Sequence, residues 1–122
     1  MGNYVIKEGK NGFSFALKAG NGETIGVSEQ YSSRSACENG IESVKKNAPI
    51  SKLEDQTAEG YETVTNPKFE LYKDKAGEFR YRLKARNGEI ILVGEGYASK
   101  AGCKNGVESV VKNADSPVKT EK

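Results

Sequence analysis

The segment Cys37-Glu38-Asn39-Gly40-Ile41-Glu42-Ser43-Val44 returns later in the chain as Cys103-Lys104-Asn105-Gly106-Val107-Glu108-Ser109-Val110. Working outward, Leu17-Lys18-Ala19-Gly20-Asn21-Gly22-Glu23 matches Leu83-Lys84-Ala85-Arg86-Asn87-Gly88-Glu89 in the same register. Tyr31 matches Tyr97, Ser33 matches Ser99, and Lys46-Asn47-Ala48 matches Lys112-Asn113-Ala114. One module from Phe13 to Ala48 is therefore written again from Phe79 to Ala114. Further upstream, Tyr4-Val5-Ile6 aligns with Phe69-Glu70-Leu71 after a one-residue gap in a turn, where length changes are tolerated.

The periodicity inside each copy gives the elements. Phe13, Phe15, Leu17 and Ala19 alternate with polar or small residues, and Phe79, Tyr81, Leu83 and Ala85 alternate with Arg80, Arg82, Lys84 and Arg86. That is strand spacing with one buried face. Asn21-Gly22 and Asn87-Gly88 predict two-residue hairpins, since Asn-Gly tolerates positive φ at both central positions. The following strands are expected over 23–28 and 89–94. Earlier strands near 4–7 and 69–73 complete a three-stranded meander in each copy.

A helix follows each meander. Ser33 and Ser99 suit N-caps, because a serine oxygen can accept an otherwise orphaned N–H of the first turn. Cys37, Ile41, Val44 and Ala48 fall on one helical face, as do Cys103, Val107, Val110 and Ala114. Glu42–Lys46 and Glu108–Lys112 have i,i+4 pairing geometry on the other side. Gly40 and Gly106 stand mid-helix, where glycine costs about 1 kcal/mol relative to alanine, so their repetition predicts a close approach to the helix backbone.

The domain reading is repeat 1 over 1–48, a linker over 49–67, repeat 2 over 68–114 and a flexible polar tail over 115–122. The linker has a possible short strand at 50–57 or 61–65. Each repeat is too small to hold a sufficient core alone, so the two are expected to share one. The fold class is α+β: antiparallel strands with one helix per repeat and pseudo-two-fold symmetry.

These motifs resemble those of the YegP-like proteins, small bacterial proteins of unknown function. The shared pattern is Leu-Lys-Ala-x-Asn-Gly-Glu, then a tyrosine with a nearby serine, then Asn-Gly-[Ile/Val]-Glu-Ser-Val, all present in both halves. The resemblance implies tandem βββαβ units about a pseudo-two-fold axis, and single-repeat members that dimerise instead. It implies no catalytic residue and no ligand.

The chemistry available is limited. Histidine is absent, which removes Ser-His and Cys-His nucleophile systems and histidine-based metal sites. Two cysteines cannot form a Cys₄ zinc site. The glycine-rich turns lead into strands, so no helix N-terminus stands ready to receive a phosphate. With 19 basic and 17 acidic residues, the net charge of +2 does not demand a polyanionic partner. No apolar run approaches a membrane span, and the first residues lack signal-peptide and myristoylation patterns. A cytoplasmic monomer with no cofactor and no enzymatic activity is expected.

Three functional readings follow. The first is a non-enzymatic binding module. Arg80, Arg82, Lys84 and Arg86 would project from one strand face as a ridge about 20 Å long, able to follow a nucleic-acid backbone or grip an acidic protein. Their counterparts Ser14, Ala16, Lys18 and Gly20 carry no such stripe. The same cations could instead pair across strands with Glu70, Glu89 or Glu95. The second reading is a thiol redox protein or enzyme using Cys37 and Cys103, set against two buried small hydrophobes. The third is a structural or stress-associated protein without a ligand. The duplicated carboxylates Glu23/Glu89, Glu29/Glu95 and Glu42/Glu108 read as solvated surface groups. The identities between copies fall at turns, caps and core positions, which points to the asymmetric cationic strand as the place to look for function.

Overall fold

The computed structural model describes residues 2–120. Its strands are β1 (Asn3–Gly9), β2 (Gly12–Lys18), β3 (Thr24–Val27), β4 (Lys52–Asp55), β5 (Lys68–Lys73), β6 (Phe79–Lys84), β7 (Ile90–Gly94) and β8 (Val118–Thr120). Helix α1 (Arg34–Asn47) follows β3, and α2 (Lys100–Asn113) follows β7. The strands form one sheet in the order β4-β5-β6-β7-β3-β2-β1-β8. All neighbours are antiparallel except the two outer pairs, β4 with β5 and β8 with β1.

That order exposes an exchange. Strand β4 follows the helix of repeat 1 but pairs with β5 of repeat 2. Strand β8 follows the helix of repeat 2 but pairs with β1 of repeat 1. Residues 118–120 are thus a strand rather than the expected flexible tail, held by a Tyr4 N–H to Pro117 carbonyl bond of 2.8 Å as well as the ladder. Their polarity misleads because an edge strand needs only half its surface covered. The linker strand is Lys52–Asp55; the alternative over 61–65 does not form.

The two halves meet where β3 pairs with β7, with Val27 opposite Val93. These are equivalent residues of the two copies, so the pseudo-two-fold axis passes between them. Leu92 fills the space that the smaller Gly26 leaves at this seam; a β-carbon on Gly26 would lie 2.9 Å from the Leu92 Cγ.

Alternation along the strands decides what is buried. Tyr4, Ile6, Phe15, Leu17, Phe69, Leu71, Tyr81, Leu83 and Leu92 face the helices and are almost fully enclosed. Cys37, Ile41 and Val44 of α1, with Cys103, Val107 and Val110 of α2, close the core from above. Both helices lie over their own repeat and reach the other: α1 packs on β2 and β7, α2 on β6 and β3. Ser33 and Ser99 cap as their positions imply, accepting from Ala36 N–H at 3.1 Å and Gly102 N–H at 3.0 Å. On the outer face of α1, Glu42 lies 3.9 Å from Lys45 rather than pairing with Lys46.

The Asn-Gly turns differ from the expected two-residue form. In these two turns the asparagines keep negative φ, and the positive values fall on Gly22 (88°) and Gly88 (84°). Ala19 pairs with Glu23 across three residues, and the Asn21 Oδ1 accepts the Glu23 N–H at 3.0 Å. Side-chain acceptance stabilises a conventional turn at the asparagine and leaves the left-handed position to glycine alone. Asn87 repeats this with Glu89.

Gly40 and Gly106 are explained by the repeated tyrosines. A β-carbon on Gly40 would lie 2.4 Å from the Tyr31 Oη, and one on Gly106 would lie 2.5 Å from the Tyr97 Oη. Tyr31 and Tyr97 are anchored in turn by bridges to Phe13 and Phe79.

Candidate functional site

Strand β6 places Arg80, Arg82 and Lys84 together on the helix-free face of the sheet. Arg86 is not with them. The β6–β7 register shifts at Leu83/Lys84, the strand ends, and Arg86 stands exposed in the turn. The ridge of four is therefore three on a strand and one beyond it.

Those three cations already have partners. Arg80 Nε lies 2.7 Å from Asp74 Oδ2, Arg82 Nε lies 2.5 Å from Glu70 Oε1, and Lys84 Nζ lies 3.4 Å from Glu70 Oε2. Of the expected partners, Glu70 is used, Asp74 takes a second place, and Glu89 and Glu95 pair with no described cation. Beneath the arginines, Lys68 Nζ bridges Glu54 at 2.7 Å and Glu70 at 3.2 Å. Glu54, Lys68 and Glu70 are 2%, 7% and 3% exposed. Burial by itself would raise the Glu54 carboxyl, but hydrogen bonds from Gln56, Lys68 and the Val64 N–H outweigh it and bring it down to about 2. Burial likewise opposes ionisation of Glu70 and Lys68, and their mutual pairing reverses it, lowering Glu70 and raising Lys68.

The asymmetry between copies now has a physical origin. Across the helix-free face one row reads Lys119, Val5, Ala16, Val27, Val93, Arg82, Glu70, Glu54. Repeat 1 fills its half with Val5 and Ala16. Repeat 2 has Glu70 and Arg82 at the equivalent positions, and a buried carboxylate requires cations around it.

Cys37 and Cys103 are free and both 0% exposed. Burial, followed by the nearby Glu38, pushes the Cys37 thiol up and outweighs the lowering effect of Arg34; burial, followed by Asp55, pushes Cys103 up to about 11. A thiolate nucleophile needs the opposite setting, a partly exposed site near a cation.

A third location gathers chemistry that sequence reading assigns to folding alone. An open cleft of about 230 Å³ separates the β2–β3 hairpin of repeat 1 from helix α2 of repeat 2. Repeat 1 contributes Ala19, Asn21, Glu23, Thr24 and Ile25; repeat 2 contributes Tyr97, Gly102, Asn105, Gly106 and Ser109. The reach of α2 across the seam onto β3 creates it. The Tyr97 hydroxyl and the side chains of Glu23 and Asn105 make no hydrogen bond or ion pair to any described residue. Burial raises the Tyr97 phenol, and Cys103, Glu95 and Glu23 add to it; burial raises Tyr31, with Cys37, Glu29 and Glu89. Glu23 and Glu95 thus act on one tyrosine from opposite repeats, and Glu89 and Glu29 act on its equivalent. Asn39 and Asn105 are exposed in mid-helix, where asparagine is a weaker helix former than alanine by a few tenths of a kcal/mol.

Comparison with known proteins places this architecture. The family model described as a domain of unknown function, DUF1508, matches residues 10–55 and 74–119. The chain belongs to the DUF1508 family. The UPF0339 protein YegP of Yersinia pestis is 44% identical over 119 residues, covering 97% of this chain and 93% of that one. A UPF0339 protein of Treponema denticola is 70% identical over 47 residues, 38% of this chain and 81% of the other. The solution NMR structure of yegP from E. coli, a protein of unknown function, superimposes with a TM-score of 0.80 at 34% identity, covering 98% of this chain and 92% of that one. Each DUF1508 match ends on the strand that crosses to the other copy, so each unit carries a hairpin for one cleft, a helix for the other and the exchanged strand.

The sequence signal for the cleft was present. Asn21, Glu23, Tyr97, Asn105 and Ser109 each have an identical counterpart in the other copy. What the sequence does not contain is the β3–β7 seam that sets the hairpin of one copy against the helix of the other. Among the described residues, no helix is long and apolar enough to cross a membrane.

Proposed function

We propose that this protein is a non-catalytic binding module whose sites are the clefts between the hairpin of one repeat and the helix of the other. One observation carries the reading. Glu23, Tyr97 and Asn105 are repeated as Glu89, Tyr31 and Asn39, yet neither carboxylate nor either asparagine amide satisfies a described partner. Turn and core positions have a folding reason to be the same in both copies; these polar ends have none. A small concave site with a few convergent polar groups is the usual form of a ligand site.

The cationic strand supports an acidic or nucleic-acid partner less well. Its three strand cations pair with buried Glu70 and part-exposed Asp74, leaving Arg86 alone in the exposed class among the four. The enclosed thiols support a redox role less well still.

Amide shifts of the ¹⁵N-labelled protein, recorded against a panel of small amines, amides, polyols and carboxylates, test the proposal. Shifts grouped in 19–25 and 97–109, or in their equivalents, are expected. Shifts confined to β5 and β6, or no shift with any compound, would overturn it.

A further inference from the structure

We propose that the cleft bounded by Glu23, Tyr97 and Asn105 takes a small aliphatic ammonium compound, its charged end held by the Glu23 carboxylate beside the Tyr97 ring. The inference rests on the cleft reading above and adds the chemical class of the ligand.

Charge is the first argument. The cleft lining contains Glu23 and no lysine or arginine. Glu95 is a second carboxylate, outside the lining and two residues before Tyr97 in the chain. Neither is ion-paired to a described residue, whereas Glu54, Glu70 and Asp74 all are. An anionic ligand would meet the Glu23 carboxylate with no lining cation to offset it. A cation would gain charge-assisted hydrogen bonds that are stronger than neutral ones.

The hydrogen-bonding inventory agrees. An ammonium group has three donors and no acceptor. The Glu23 carboxylate, the Asn105 side-chain carbonyl and the Tyr97 oxygen all accept. Ala19, Ile25 and the Tyr97 ring provide apolar wall for an aliphatic stem, and a tyrosine face also attracts cations. The volume is below that of pockets for drug-sized molecules, which begin near about 300 Å³, so the ligand is a short chain.

The two copies differ at two lining positions, Thr24 and Gly102, and the first is Ile90 in the other copy. Gly102 lines this cleft, and its equivalent in repeat 1 is Ala36. A β-carbon at Gly102 would lie 3.5 Å from Tyr97 Cδ1. The added methyl narrows the cleft beside Tyr31, so the site at Tyr97 is the roomier of the two.

Three probes of equal chain length separate the possibilities: putrescine, 1,4-butanediol and succinate, titrated into the ¹⁵N-labelled protein at constant ionic strength. Putrescine is expected to move the amides of Gly22, Tyr97, Gly102 and Asn105, with the diol weaker by about tenfold or more and succinate inactive. Glu23→Gln with Glu95→Gln, both at exposed positions, is expected to weaken putrescine by about tenfold at an unchanged melting temperature. Gly102→Ala is expected to weaken it as well. Equal binding of putrescine and the diol, binding of succinate, or full retention in the double glutamine variant would overturn the ammonium assignment while leaving the cleft as a binding site. Silence from all three probes and from the wider panel would remove both.

Discussion

The Tyr81 hydroxyl donates a 2.6 Å hydrogen bond to the Ile25 carbonyl, joining β6 of repeat 2 to β3 of repeat 1 inside the core. A second tyrosine does the same in reverse: Tyr4 of repeat 1 donates to the Ala114 carbonyl at the end of α2, also at 2.6 Å. Their equivalents are Phe15 and Phe69, which lack the hydroxyl. Each repeat therefore has one tyrosine and one phenylalanine at these sites, and both tyrosines reach across. Tyr81→Phe keeps the ring and removes the bond. It should cost about 1–2 kcal/mol, read as a lower urea midpoint at an unchanged slope. Tyr4→Phe should cost a similar amount, and the two losses should add if the contacts are independent.

Acid should weaken repeat 2 through the carboxylates under its cationic strand. Glu54 has a folded-state pKa of about 2, below the ordinary 4.5, and Glu70 is lowered too. A depressed carboxylate stabilises the fold at pH values above its unfolded pKa, and that contribution fades as pH falls through the folded value. Stability should therefore decline from about pH 4.5 downward, the Glu54 part being lost near pH 2. Lys68→Met leaves Glu54 and Glu70 buried without their shared cation, at a cost of about 3 kcal/mol near neutral pH. That variant should also lose much of the acid dependence. Thermal melts from pH 7 to pH 2 on both proteins measure it.

Much of this fold can be read from local pattern. Alternation at Phe79, Tyr81 and Leu83 gives β6, and Ser33 and Ser99 mark both helix starts, because these signals depend on near neighbours alone. The β4 and β8 exchange is different in kind. Leu53 pairs with Phe69, and Tyr4 with Val118, and no local rule selects a partner strand in the other copy. A second non-local step, the pairing of β3 with β7 that brings α2 over β3, builds the cleft from Glu23 and Tyr97. Arg86 shows the converse failure: the alternation continues past Lys84 in sequence, but the turn does not let the strand continue with it.

Gly106→Ala tests the packing of the repeated tyrosines. Alanine improves helix propensity by about 1 kcal/mol, so an isolated helix would gain. Here the new methyl would stand 2.5 Å from the Tyr97 Oη and 3.1 Å from Tyr81 Cε2. Overpacking of this kind costs about 1–3 kcal/mol, giving net destabilisation in chemical unfolding. A stabilised variant would show that Tyr97 swings aside without loss.

Thiol reagents should distinguish the native from the unfolded protein. Cys37 and Cys103 are enclosed and their thiols are raised by burial. Labelling with a chromogenic disulfide at pH 8 should be slow in buffer and rapid in denaturant. Fast native labelling of either cysteine would restore the redox reading.

Nucleic-acid binding is the sharpest test of the cationic strand. Arg80, Arg82 and Lys84 are held by Asp74 and Glu70, so a phosphate must break an existing ion pair to reach them. Partial exposure of those side chains leaves that possible at low salt, where unscreened charges attract over longer range. A gel shift with mixed DNA and RNA should show weak retention at most, lost at moderate salt. Arg80→Glu with Arg82→Glu should act mainly on folding, because it places one more carboxylate beside buried Glu70 and another beside Asp74, and the melting temperature should fall. Tight binding at moderate salt, abolished by this pair in a protein that remains folded, would move the functional surface from the clefts to the opposite face of the sheet.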